Sequence, residues 1–147
     1  KQRIINDYPK KTNYKYFPKK ILNYILWLKD NKPEIKYDTF IHGDFHYGNI
    51  LWNNKKIKGV IDFEYSGMGF KEQDIAWALI LRPSQEFMND INDINAFLDG
   101  YKSFNNYDDN NLKWCLINGY CHFYLMNKKN KLYCQNILNL LKIIEKM

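Results

Sequence analysis

The stretch Phe40-Ile41-His42-Gly43-Asp44-Phe45-His46-Tyr47-Gly48-Asn49-Ile50-Leu51-Trp52 places an Asn five positions after an Asp. Further on, Gly59-Val60-Ile61-Asp62-Phe63-Glu64-Tyr65 sets a second Asp behind an apolar pair. Phosphoryl transfer has a use for each of these groups. A carboxylate must accept the proton of an attacking hydroxyl, while an amide oxygen and a second carboxylate hold Mg²⁺ on the phosphates of a nucleotide. Taken singly, an Asp before a strand is ordinarily a turn or cap residue. The ordered combination, with strand patterning between its members, carries the reading.

Those side chains need elements to bring them together. Tyr37 to His42, Asn49 to Trp52 and Ile57 to Phe63 read as short strands, and Asn53-Asn54 as the turn of a hairpin between the last two. Such a hairpin folds Asn49 and Asp62 back to one end, beside Asp44. A further turn is expected at Gly67-Met68-Gly69. Before this region, Pro18 opens a helix whose Ile21, Leu22, Ile25 and Leu28 recur at helical spacing, and Asn31 with Pro33 stops it. After it, Asp74 starts a helix to Leu81 that Pro83 closes. One or two helices follow between Ser84 and Phe104, interrupted near Asp90. Asp108 or Asp109 caps a long helix to about Asn127, and Lys131 to Lys146 forms the last. The fold class is α+β, a mostly helical domain with a small β insertion, preceded by a lead-in segment over residues 1–17.

Composition narrows the functional classes. The chain has 147 residues, 46% apolar and 26% charged, which suits one ordinary domain. No apolar run reaches the ~18 residues of a membrane span, and the opening residues Lys-Gln-Arg-Ile-Ile-Asn-Asp are not expected to act as a secretory signal. Three cysteines without a Cys-x-x-Cys pair fit a reduced, cytoplasmic protein better than a disulfide or zinc scaffold. The net charge of +6 comes from scattered residues that are all lysine except Arg3 and Arg82. A nucleic-acid surface would cluster its basic residues and favour Arg, so a nucleic-acid-binding basic domain is a remote alternative.

The sequence resembles the aminoglycoside phosphotransferase and choline kinase-like family, which has a protein-kinase-like fold. The resemblance rests on His42-Gly43-Asp44-Phe45-His46-Tyr47-Gly48-Asn49, on Ile61-Asp62-Phe63-Glu64 and on Asp74-Ile75-Ala76-Trp77. It runs from about residue 18 to the end, residues 18–147, as the C-terminal catalytic and substrate lobe. By that resemblance Asp44 is the catalytic base, and Asn49 and Asp62 are the Mg²⁺ ligands. Asp74 braces the backbone of the catalytic loop from the start of a helix, and His42 supports the loop. The donor is ATP or GTP and the acceptor a hydroxyl of a small molecule such as an aminoglycoside, choline or homoserine. Tyr47 stands where relatives commonly have Pro. The family covers the nucleotide with an N-terminal lobe bearing a Gly-rich loop, yet no glycine precedes Gly43. The chain, which does not begin with Met, is therefore expected to be a piece of a longer protein, or else a natural remnant. By itself it is expected to show little or no turnover.

Rival readings are tied to the same residues. His42, Asp44 and His46 alternate as ligands on a strand would, which suggests a metal hydrolase, but only His122 remains as a further His. A catalytically silent, regulatory kinase-like lobe is the closer alternative, although Asp44, Asn49 and Asp62 are all intact. Glu64, Trp77, Trp114, Tyr120 and His122 are candidate acceptor-binding residues by the resemblance, with core packing at helical spacing as the alternative for most of them. Asp108 and Asp109 suit a cationic acceptor or simple capping, and Glu64-Tyr65 hints at an amino-alcohol.

Overall fold

Helix α1 (Lys19–Asp30) buries Ile21, Ile25 and Leu28, a stripe one side chain wide at i, i+4 and i+7. The computed structural model to which it belongs describes residues 17–34, 36–80 and 91–147. Pro18 precedes α1 as its cap residue, and Asn31 ends it by sending both its backbone N–H and its amide to the Trp27 carbonyl. The lead-in segment, Pro83 and the interruption near Asp90 lie outside the described residues, apart from Phe17 at the edge of the first.

Two antiparallel pairs follow. Strand β2 (Ile50–Asn53) pairs with β3 (Lys56–Val60), joined by a turn at Asn54-Lys55. Both turn residues have positive φ, 49° and 62°, the signature of the tight turn whose twist suits a hairpin. The turn thus sits one residue later than expected, and the register is irregular between Leu51 and Trp52. Strand β1 (Thr39–Ile41) pairs with β4 (Gly67–Gly69) in the register Phe40 to Met68. Gly67-Met68-Gly69 is therefore a strand and not the expected turn. The glycines serve close packing there: a Cβ at Gly69 would overlap the side chain of Ile41.

The rest is helical. Helix α2 (Lys71–Leu79) begins three residues before Asp74, which lies in its first turns and not at its start. Helix α3 (Ile91–Lys102) turns Ile94 and Leu98 inward. Helix α4 (Asp109–Met126) is buried nearly all round from Trp114 to Cys121 and packs against α1, α2 and α5 (Lys131–Glu145), so it forms the axis of the core. Asp108 and Asn130 cap α4 and α5, each accepting a backbone N–H two residues inside its helix, from Asn111 and Tyr133. Buried Glu72 takes the N–H of Asp108 at 2.8 Å and so ties α2 to the start of α4. None of the described helices is long and apolar enough to cross a membrane.

Candidate active site

The loop after β1 is held from below by α2. The Asp74 carboxylate accepts the backbone N–H of His42 at 2.6 Å and that of Gly43 at 2.9 Å, one on each oxygen. Burial pushes the Asp74 carboxyl up from its ordinary value, against the pull of these two donors. Gly43 has φ +80°, and a Cβ there would overlap the Tyr65 carbonyl oxygen, so the loop takes this path only with glycine.

His42 is buried and joins two segments. Its Nδ1 accepts the N–H of Asp44 at 3.3 Å, and its Nε2 lies 2.9 Å from the Ile61 carbonyl. A carbonyl only accepts, so these partners assign the proton to Nε2. The ring also rests on Phe63, with centroids 4.5 Å apart.

Asn49 completes the frame. Its side-chain amide donates to the Asp44 carbonyl at 3.0 Å, and its own carbonyl takes the Ile61 N–H at 3.0 Å. That second bond extends the β2–β3 ladder one step past Ile50 and Val60, so Asp62 leaves the hairpin directly beside Asn49. Asp62 has φ 66°, left-handed backbone that a non-glycine residue adopts at some local expense, and it makes no capping hydrogen bond to the short helical turn Phe63–Tyr65.

The donor atoms suit a hard divalent cation. With the Asn49 nitrogen committed to Asp44, the amide oxygen is the atom left to face a ligand, and Asp62 adds a carboxylate. Among the described residues no cluster of three His, Cys, Asp or Glu could hold a metal by itself. An ion such as Mg²⁺ keeps several waters and takes further ligands from phosphates, so it needs few protein oxygens. His42, a candidate ligand in the metal-hydrolase reading, spends both ring nitrogens within the fold, on the Asp44 N–H and the Ile61 carbonyl.

The Asp44 carboxylate is contacted on both oxygens. The indole N–H of Trp77 donates to Oδ1, and Oδ2 lies 3.7 Å from Nε2 of His46. The His46 ring is itself fixed, because its Nδ1 accepts the N–H of Gly48 at 3.0 Å. Next to it opens an apolar cavity of about 400 Å³ walled by Phe45, His46, Tyr47, Trp52, Ile57 and Phe97.

The other candidates separate. Glu64 is exposed beside Asp62. Trp114 and Tyr120 belong to the core, with their polar tips on the carbonyls of Leu28 and Leu79. A Tyr120 side chain at 0% exposure meets no soluble acceptor, so for these two the packing alternative holds. His122 is half-buried, its ring edge-on to Phe123, and burial lowers its pKa from 6.5. Phe123 in turn packs against Trp77. The sequence pattern does not single out the contacts of His46 and Trp77 with Asp44. The available signal was the spacing Asp74-x-x-Trp77, which puts both side chains on one face of a helix.

The family model described as "Phosphotransferase enzyme family" matches residues 6–109, a span that includes Asp44, Asn49, Asp62 and Asp74 and ends before Trp114. Over 51 residues the chain is 35% identical to a "Probable aminoglycoside 3'-phosphotransferase" of Lactococcus lactis subsp. lactis (strain IL1403). The similarity covers 35% of this chain and 20% of that protein, so the chain spans about a fifth of the curated relative's length. No solved structure matches the chain significantly.

Proposed function

The chain belongs to the phosphotransferase enzyme family, and we propose that it is the C-terminal lobe of a kinase that moves the γ-phosphate of ATP or GTP to a hydroxyl of a small molecule. The observation that carries this reading is the linked placement of Asp44, Asn49 and Asp62. Asn49 bonds the Asp44 carbonyl and the Ile61 N–H, and His42 bridges the Asp44 N–H and the Ile61 carbonyl. Two independent links therefore fix the base against the segment that bears Asp62.

In this reading Asp44 orients the acceptor hydroxyl and takes its proton as the phosphoryl group transfers. Asn49 and Asp62 hold Mg²⁺, which when bound offsets the charge of the nucleotide phosphates. Asp74 and His42 keep the loop in its path, so that catalysis comes from positioning and electrostatics. The family implies a kinase-like fold, and Phe40, Leu51, Ile57 and Met68 leave apolar surface exposed on the two small sheets. That surface supports contact with an N-terminal nucleotide lobe in cis. The cytoplasm, where nucleoside triphosphates are abundant, is the expected compartment.

The test is nucleoside diphosphate release by the product of the whole reading frame. It is assayed with Mg-ATP and Mg-GTP against pooled aminoglycosides, choline-like amines and amino-acid alcohols. Acceptor-dependent release that disappears in Asp44→Asn is expected. Release that persists in Asp44→Asn would remove Asp44 from the base role.

A further inference from the structure

We propose that Trp77 is a positioning residue for Asp44: its indole N–H anchors Oδ1 and thereby presents Oδ2, on the His46 side, as the oxygen that receives the acceptor proton. The inference rests on the reading of Asp44 as the base. A carboxylate on a loop turns about its last bond at little expense, and its two oxygens are chemically equal until something distinguishes them. Trp77 supplies the distinction, because an indole N–H is a donor only and it ends on Oδ1. His46 Nε2 stands off the other oxygen at 3.7 Å.

The anchor is itself rigid. Trp77 sits three residues after Asp74 on α2, so one helix grips the loop twice, by its backbone at His42 and Gly43 and by its functional carboxylate. Its ring packs on Phe123 of α4 with centroids 5.7 Å apart, and Phe123 meets the edge of His122. The core helix thus stands behind the indole. Trp77 belongs with the acceptor-facing aromatics by resemblance alone; its hydrogen bond gives it a more specific task.

Two experiments bear on it. In the whole reading-frame product, residue 77 is replaced by 3-benzothienylalanine, which keeps the fused-ring shape and has sulfur in place of N–H, and separately by 5-fluorotryptophan, which keeps the N–H. The first is expected to lower kcat on the order of 10- to 100-fold, the scale of a misplaced catalytic group, with both KM values and the thermal midpoint unchanged. The second is expected to restore kcat. Full kcat in the benzothienyl enzyme would overturn the proposal, as would an equal loss in both variants, which would assign Trp77 to packing.

The second experiment needs no turnover. In the 147-residue chain, the Trp77 indole N–H resonance is expected to move in Asp44→Ala, while that of Trp114, whose acceptor is the Leu28 carbonyl, stays fixed. A Trp77 resonance indifferent to Asp44 would overturn the proposal. A responsive resonance in a protein that phosphorylates nothing would leave the anchor standing and defeat the kinase reading instead.

Discussion

The backbone of Gly43 runs against the carbonyl of Tyr65, so that the loop before Asp44 and the turn after Asp62 touch where residue 43 has no side chain. Gly43 also holds φ +80°. Gly43→Ala therefore meets two obstacles, left-handed backbone at about 1–2 kcal/mol and a methyl group inside the Tyr65 oxygen. Denaturant unfolding of the variant should show at least the backbone part of this loss. The loop can relieve the overlap only by parting from Tyr65, so the phosphoryl transfer proposed for the whole reading-frame product should fall further than stability. A variant as stable as the parent would mean that the loop does not follow this path.

Asp74 is predicted to tie stability to pH with a definite sign. Its carboxyl is raised from 3.8 in the folded chain, chiefly by burial. Between that ordinary value and the raised one, the folded chain binds more protons at Asp74 than the unfolded chain does. Its favourable contribution is therefore complete on the acid side and is lost as pH rises through the folded value. Asp74→Asn has no such proton. The stability of the parent relative to Asp74→Asn should decline with rising pH from about 4 and then level off, as read by urea unfolding at a series of pH values. Asp74→Ala removes the acceptor of two backbone N–H groups and should cost about 1–3 kcal/mol.

The legible parts of this molecule were those fixed by local chemistry. Asp108 caps α4, the apolar spacing of α1 marks its buried face, and the hairpin sets Ile61, the neighbour of Asp62, against Asn49, all in keeping with the sequence. The departures arose where tertiary pairing overrides local signals. Two glycines at 67 and 69 signal a turn, yet pairing with Thr39–Ile41 makes them a strand. Trp114, Tyr120 and His122 share one helix, and periodicity does not tell a core aromatic from one facing a ligand. Burial separates them: Trp114 and Tyr120 are enclosed, while His122 stays partly accessible. The indole of Trp77 on Asp44 is a contact across 33 residues of chain, which helical spacing permits and does not by itself reveal.

The three thiols should report folding. Cys115 and Cys121 are buried, with burial raising Cys115 well above its ordinary value and pushing Cys121 up to about 12. Cys134 is also raised, and its Sγ lies 3.3 Å from the Asn127 carbonyl. Since the thiolate is the nucleophile, a disulfide reagent at pH 8 should find all three slow in the folded chain and fast in denaturant. Rapid labelling of Cys115 or Cys121 under native conditions would contradict the packing of α4.

Asp62 allows function to be separated from fold by two substitutions at one position. Its φ of 66° is unfavourable for any residue with a Cβ, so Asp62→Gly relieves backbone strain that Asp62→Ala retains. If Asp62 serves to hold Mg²⁺, the two variants should differ in stability by roughly 1 kcal/mol in favour of Gly and yet lose Mg²⁺-dependent nucleotide binding alike. Calorimetric titration of the whole reading-frame product with Mg-ATP, with and without chelator, reads the binding, and thermal unfolding reads the fold. Nucleotide binding that keeps its metal dependence in both variants would transfer the ligand role away from Asp62. Binding retained in Asp62→Gly and lost in Asp62→Ala would make the residue's role conformational, because only the backbone distinguishes that pair.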